Sequence, residues 1–204
     1  MSDYPEARFI KSADAPGQFV ADSGAEVAFA GRSNAGKSSA INVIVNRRQF
    51  ARTSKTPGRT RLVNFFSLGE ERRLVDLPGY GFAKVANKMR NHWAELMAEY
   101  FETRQSLRGM FLIVDIRRLL TDSDRKMLSF ADAVGLPVHI LLTKTDKLKR
   151  GQAAKALLEL RRDLAGAATV QHFSALSRLG EDEARAKLDE FLSLPADQIT
   201  GAGV

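Results

Sequence analysis

Short apolar runs alternate along the chain with longer stretches in which apolar residues recur every three or four positions. Val27-Ala28-Phe29-Ala30 is a compact apolar run and reads as a buried strand over residues 27–31. From Ser39 to Val45, Ala40, Ile41, Ile44 and Val45 fall at helical spacing, so a helix is predicted from about Lys37 to Asn46. Leu62 to Leu68 and Arg72 to Asp76 read as two strands joined by the turn Gly69-Glu70-Glu71, a hairpin. A long helix is predicted from Asn87 to Ser106, with Trp93, Leu96, Met97, Tyr100 and Phe101 on one core-facing side. The alternation continues with a strand at 109–115 and a helix at 122–134 capped by Asp122 or Ser123. A strand at 137–142, a helix at 152–164, a strand at 169–173 and a helix at 181–192 complete it. Phe9-Ile10 is a candidate edge strand, and Pro16-Gly17 marks a turn.

Strands that alternate with helices predict an α/β fold of three layers: a mostly parallel sheet, one antiparallel hairpin strand, and helices on both faces. The expected division is a lead-in at 1–26, one domain at 27–194 and a tail at 195–204. Ligands of such sheets bind at the carboxyl ends of strands. The loops richest in chemistry here all follow strands, so they are expected to meet at one rim.

Composition narrows the class. With 204 residues, 44% hydrophobic and 27% charged, the chain suits one soluble domain. Cysteine is absent, which excludes disulfides and thiolate metal sites and fits a reducing cytoplasm. No apolar run approaches the ~20 residues that span a bilayer, and Met1 to Glu6 lack a signal-peptide pattern, so no membrane partner is expected. The net charge of +7 favours polyanions, nucleic acid ahead of membrane. No long apolar patch points to an obligate dimer, so a monomer is expected.

The densest chemistry lies in Gly31-Arg32-Ser33-Asn34-Ala35-Gly36-Lys37-Ser38-Ser39, which fits the phosphate-loop pattern G-x-x-x-x-G-K-[ST]. A strand before it and a helix after it supply the context: free backbone N–H groups and the positive helix end face one anion. Gly31 and Gly36 allow the backbone to bend close to phosphate. Lys37 can reach the β- and γ-phosphates, and the Ser38 hydroxyl is the expected Mg²⁺ ligand.

Four further segments extend this reading. Asp76-Leu77-Pro78-Gly79 lies at a strand end, where Asp76 can hold Mg²⁺ through water and the Gly79 N–H can meet a γ-phosphate. Residues 47–61 carry six basic and no acidic residues with a Pro-Gly breaker, and read as an exposed loop. Thr53, Thr56 and Thr60 compete there for the role of Mg²⁺ ligand and γ-phosphate sensor. In Thr143-Lys144-Thr145-Asp146, a carboxylate can accept both N1–H and the 2-amino group of guanine, which adenine lacks, and the stem of Lys144 can cover the ring. Phe173-Ser174-Ala175 ends the next strand, with the Ala175 N–H available to the guanine O6.

Five such loops in this order resemble the translation-factor-like small GTPases. The phosphate loop, Thr53 to Thr60, Asn64-Phe65-Phe66, Asp76-Leu77-Pro78-Gly79-Tyr80-Gly81-Phe82-Ala83 and Thr143 to Lys147 together resemble the EngB family of bacterial GTP-binding proteins. The likeness covers roughly residues 8–193. It implies a P-loop GTPase (G) domain binding GTP or GDP, Mg²⁺ at Ser38 and Thr60, and nucleotide contacts from Gly58-Arg59-Thr60-Arg61-Leu62. It also implies precursors of the large ribosomal subunit, rRNA and ribosomal proteins, as partners, with cell division or septation linked to some members. Threonine at 143, where most GTPases carry asparagine, is the family's own pattern.

Tyr80 stands where Ras-type GTPases carry the water-orienting glutamine, so slow intrinsic hydrolysis is expected. Arg59 and Arg61 are the nearest arginines in sequence. Asn34 resembles the phosphate-loop asparagine of potassium-activated GTPases, which implies a K⁺ beside the phosphates. Lys37, Thr60, Gly79 and Asn34 are therefore the catalytic candidates. His92, His139 and His172 are spread over a helix and two strands and suggest no metal site. Phe65, Phe66, Tyr80 and Phe82 are candidates to stack on bases, with core packing favoured for the strand residues Phe65 and Phe66. The basic residues 47–61, Arg72, Arg73, Lys84, Lys88, Arg90, Lys147, Lys149 and Arg150 are expected around the nucleotide rim, as a face for RNA phosphates. A GTPase acting in ribosome assembly is weighed against a division switch working through a protein partner. A P-loop kinase or ATPase is disfavoured by Thr143 and Asp146.

Overall fold

The computed structural model describes residues 4–51, 62–81, 87–193 and 195. Seven strands form one sheet: β1 (Arg8–Ala13), β2 (Ala25–Gly31), β3 (Val63–Gly69), β4 (Arg72–Asp76), β5 (Leu107–Asp115), β6 (Val138–Thr143) and β7 (Thr169–His172). Their order across the sheet is β1-β3-β4-β2-β5-β6-β7. β4, β2, β5, β6 and β7 are mutually parallel, whereas β3 runs antiparallel to both β4 and β1. The hairpin expected from the sequence is the β3–β4 pair. Phe9-Ile10 belongs to β1, an edge strand with an irregular register between Phe9 and Lys11.

Five helices cover the sheet: α1 (Lys37–Ile44), α2 (Asn87–Thr103), α3 (Asp122–Ala133), α4 (Arg150–Leu164) and α5 (Glu181–Leu192). Ile41 and Ile44 of α1 and Leu188 and Phe191 of α5 bury against Phe29, Phe111 and Ile113 on one face. Met97 and Tyr100 of α2, Met127 of α3 and Leu160 of α4 bury against Ala28, Met110, Leu112 and Ile140 on the other. The central strands are covered on both sides, so their sequences are apolar runs without alternation; every residue of β5 is buried. The apolar face expected for α2 is present, and Phe65, Phe66 and Tyr80 are core residues.

Several element ends differ from expectation for local reasons. Thr121, not Asp122 or Ser123, caps α3. Its N–H (2.9 Å) and hydroxyl (2.6 Å) donate to the Asp124 carboxylate, which reaches back across the first turn. Helix α2 stops at Thr103, and the next residue, Arg104, enters a buried ionic cluster. Glu26, fully buried at the start of β2, accepts from Arg73 Nε at 2.7 Å and from Arg104 Nε at 3.2 Å. The Arg104 guanidinium also packs over the rings of Phe19 and Phe65. This cluster ties β2, β4 and the α2–β5 turn together at the amino end of the parallel strands.

Candidate functional site

The carboxyl ends of β2, β4, β5, β6 and β7 meet at one rim, as the registers Phe29↔Asp76, Gly31↔Ile113, Asp115↔Thr143 and Leu142↔His172 require. Gly31 is the last residue of β2. A Cβ there would lie 2.8 Å from the Ile113 carbonyl oxygen, so its first need for glycine is close strand packing. The loop then turns through Asn34 (φ 64°) and Gly36 (φ 106°) and enters α1 at Lys37. Arg32, Ser33, Ser38 and Ser39 are half-buried, Ala35 is buried, and Asn34 is exposed. Helix α1 carries no acidic residue in its first turn, leaving its positive end uncompensated toward the rim.

Asp76 ends β4 and is buried there, paired with Lys37 Nζ. Leu77 is buried, and its N–H donates to the Phe29 carbonyl at 3.0 Å, carrying β4 past its last residue. Pro78 and Gly79 follow, and Gly79 lies against the Ser33 backbone. The Ser33 N–H donates to the Tyr80 carbonyl at 3.0 Å. Gly81 (φ 81°) leaves no room for a Cβ, which would lie 2.6 Å from Arg32 Nε. The phosphate loop and the Asp76–Gly81 segment are therefore packed backbone to backbone.

Thr143 ends β6. Its hydroxyl donates to the Ala35 carbonyl at 2.5 Å, with the Val114 carbonyl 3.1 Å away. This tethers the phosphate loop from β6, two strands away from β2, the service that the asparagine amide gives in most GTPases. Lys144 takes a left-handed conformation (φ 60°) and donates to the Asn34 carbonyl at 2.5 Å and to Asp115 Oδ2 at 2.9 Å. The Thr145 N–H donates to the Phe173 carbonyl at 3.3 Å, which joins the β6 and β7 loops. The Ser174 hydroxyl donates to Asp146 Oδ1 at 2.6 Å. That bond is the main reason the Asp146 carboxyl is held below its ordinary range, with Lys147 adding to it against slight burial. Asp146 thus presents an ionised carboxylate with Oδ2 3.3 Å from Lys147 Nζ. Ser174 and Phe173 are buried and Ala175 is half-buried.

The described candidates for nucleotide and metal binding lie in the segments that end at this rim, including Leu62 just before β3, whose Asn64 pairs with Asp76. Gly58, Arg59, Thr60 and Arg61, with Thr53, Thr56 and Phe82, lie outside the described residues. Two expectations are corrected. Arg72 and Arg73 begin β4 at the far end of the sheet, where Arg73 is buried on Glu26 and Arg72 meets Glu70 at 3.1 Å. Arg47 follows α1 away from the rim and donates to the carbonyls of Ala7 (2.6 Å) and Pro5. Arg72 and Arg73 are carried there by the direction of β4, which begins at that end, and Arg47 by the direction of α1, which starts at the rim and runs away from it.

Sequence reasoning missed Asp115 and Arg117. Asp115 closes an apolar strand just as Asp76 does, which was the available signal. Arg117 donates to Asp115 Oδ1 through Nε at 2.9 Å and to Oδ2 through Nη2 at 2.6 Å. Burial opposes ionisation of Asp115, but the bonds from Arg117 and Lys144 outweigh it and hold the carboxyl far below the usual range. Both residues line a cavity of about 310 Å³ beside the phosphate loop, with Arg32, Asn34, Arg118 and Lys144.

Tyr80 turns away from the rim. It is buried against Trp93, with ring centroids 5.7 Å apart, and its hydroxyl reaches α3. No group of three or more His, Cys, Asp or Glu fit to hold a metal occurs among the described residues. A buried carboxylate and a hydroxyl at a phosphate loop are hard oxygen donors, which suits Mg²⁺ completed by phosphate and water.

Comparison with known proteins decides the family. Residues 26–144 match the family model described as 50S ribosome-binding GTPase. The probable GTP-binding protein EngB of Hydrogenovibrio crunogenus is 53% identical over 192 residues, covering 93% of this chain and 91% of that protein. The chain belongs to the EngB family of GTPases. A crystal structure of a probable EngB GTP-binding protein superposes with a TM-score of 0.67 at 20% identity, covering 82% of this chain and 98% of the other. Era in complex with MgGDPNP and nucleotides 1506–1542 of 16S ribosomal RNA gives 0.64 at 19% identity, covering 88% and 62%. At these identities the two superpositions speak for the fold, a P-loop G domain. An EngB GTPase hydrolyses GTP.

Proposed function

We propose that this GTPase binds GTP and GDP across the rim and serves as a nucleotide-controlled assembly factor for the large ribosomal subunit. The observation that carries the nucleotide reading is the convergence of the Lys37, Asp76 and Asp146 loops, held together by Thr143 and Lys144. The family's ribosomal description and the net charge of +7 support the ribosomal partner.

In this reading the phosphates lie over Gly31 to Ser39, and Lys37 exchanges its ion pair with Asp76 for the β- and γ-phosphates. Asp146 reads the N1–H and 2-amino group of guanine, Lys144 covers the ring, and the Ala175 N–H meets O6. Gly58 to Leu62 border the nucleotide, with Gly79 and Thr60 sensing the γ-phosphate. Ser38, Thr60 and Asp76, the last through water, would hold Mg²⁺, which neutralises charge on the phosphate oxygens during transfer. Asn34 would hold K⁺, supplying the positive charge that an arginine finger gives elsewhere. Tyr80 faces the core, so this chain orients the attacking water without a side chain at that position, and slow intrinsic turnover follows. The protein works as a monomer in the cytoplasm.

Co-sedimentation with large-subunit precursors tests the partner. Binding is expected with a GTP analogue, weaker with GDP, and to fall steeply as salt rises from about 50 to 200 mM. Nucleotide-independent or salt-insensitive binding would contradict it.

A further inference from the structure

We propose that Asp115 is a positioning residue for nucleotide binding, acting through Lys144. The inference rests on the base-site reading of Lys144 given above and goes beyond it by adding two residues, Asp115 and Arg117.

Lys144 has a flexible four-carbon stem and an ammonium with three N–H donors. One donor meets the Asn34 carbonyl in the phosphate loop and a second meets Asp115 Oδ2 at the end of β5. Two fixed points at the far end draw the stem out from the β6 end, so its methylene face is set before any ligand arrives. An unanchored lysine would have to be ordered by the nucleotide, at a cost in affinity. Asp115 can do this because it is itself over-determined. It lies on a buried strand end with only 7% exposure, and Arg117 fixes it with three bonds: backbone N–H to Oδ1 at 3.1 Å, Nε to Oδ1 and Nη2 to Oδ2. Lys144 takes a remaining acceptor site on Oδ2.

The chain of contacts Arg117–Asp115–Lys144–Asn34 joins the β5 end, the base loop and the phosphate loop. Arg117 is half exposed, so it is a clamp on the outside of the site that can be removed without touching the core. The bonds are charge-assisted, the strong class, so loss of the carboxylate is expected to be felt in binding.

The test is a mutant cycle read by fluorescent GDP dissociation at equilibrium and by off-rate. Asp115→Asn is expected to raise the GDP Kd about tenfold, chiefly through the off-rate. Arg117→Ala is expected to shift it the same way by a smaller factor, and serves if Asp115→Asn folds poorly. In a Lys144→Met background neither substitution is expected to weaken GDP further. Equal weakening by Asp115→Asn with and without Lys144 would overturn the proposal, as would an unchanged Kd in both single variants. If Lys144→Met itself left the Kd unchanged, the base-site reading would fail, and Asp115 could not act through it.

Discussion

The Tyr80 hydroxyl donates to Asp124 Oδ1 at 2.8 Å, across from the loop after β4 to the first turn of α3. Both residues are buried, and Asp124 Oδ2 is already engaged by Thr121. Burial first, then the Asp124 charge, push the phenol well above its ordinary pKa, so it stays a donor. The residue that follows Gly79 is thereby a structural strut and not a group facing water. Tyr80→Phe is expected to cost about 1.5–3 kcal/mol in urea unfolding, the scale of a hydrogen bond to a charged partner. Basal GTP hydrolysis should stay within about twofold of wild type. A loss of tenfold or more would place the hydroxyl in the chemistry.

His139 links β6 to β7 in its neutral form. Gln171 uses its amide nitrogen on the His172 and Gly180 carbonyls, so its oxygen accepts from His139 Nε2 at 2.9 Å. Nδ1 is left to accept from the Thr169 hydroxyl at 2.7 Å. Burial pulls the imidazole pKa down to about 4, against the bond to Gln171. The unfolded chain takes up this proton near pH 6.5, so the stabilisation is complete above that value and is lost as pH falls toward 4. The difference in unfolding free energy between wild type and His139→Gln should shrink over this window by roughly 2–3 kcal/mol. A difference independent of pH would contradict a buried neutral histidine.

Glu26 is the only carboxylate among the described residues in contact with both Arg73 and Arg104. Glu26→Gln would leave two buried guanidiniums short of their counter-charge, at a cost of about 3–5 kcal/mol. The urea midpoint should fall accordingly, with GTP affinity per folded molecule little changed, because the cluster lies at the opposite end of β2 from Gly31. Equal stability of the variant would mean that the cluster is not a structural tie.

Much of this was readable from residue order. Apolar runs of four to seven marked β2, β5 and β6 because both faces of the sheet are covered. Strand-end position then placed Asp76, Thr143 and Ser174 at one rim. What sequence could not give was direction and depth. Arg73 is one of a basic pair after a turn, yet β4 begins at the far end of the sheet and buries it on Glu26. Asp115 looked like the polar end of a strand until Lys144 and Arg117 were seen to share it. Tyr80 follows Gly79 in a rim loop, and only three-dimensional packing shows that Trp93 and Asp124 claim its side chain.

Asn34 is exposed at the crest of the phosphate loop with its carbonyl committed to Lys144. Its side chain is the candidate K⁺ ligand. GTP turnover is expected to be faster in KCl than in NaCl at equal ionic strength, by about tenfold or more for a charge supplied at the transition state. Asn34→Ala should remove that difference. Equal rates in the two salts would dismiss the ion.

Guanine recognition by Asp146 is the claim on which the rest depends. Asp146→Asn exchanges a double acceptor for an amide that can donate to the 2-oxygen of xanthine. Competitive binding of GTP and XTP to the wild-type and Asp146→Asn proteins is the direct measurement. The wild type should prefer GTP by a factor on the order of 10³ or more and the variant should reverse the preference, since a site built to pair a polar edge rejects the mismatched one. An unchanged preference for GTP in the variant would contradict the assignment of the base site to this rim.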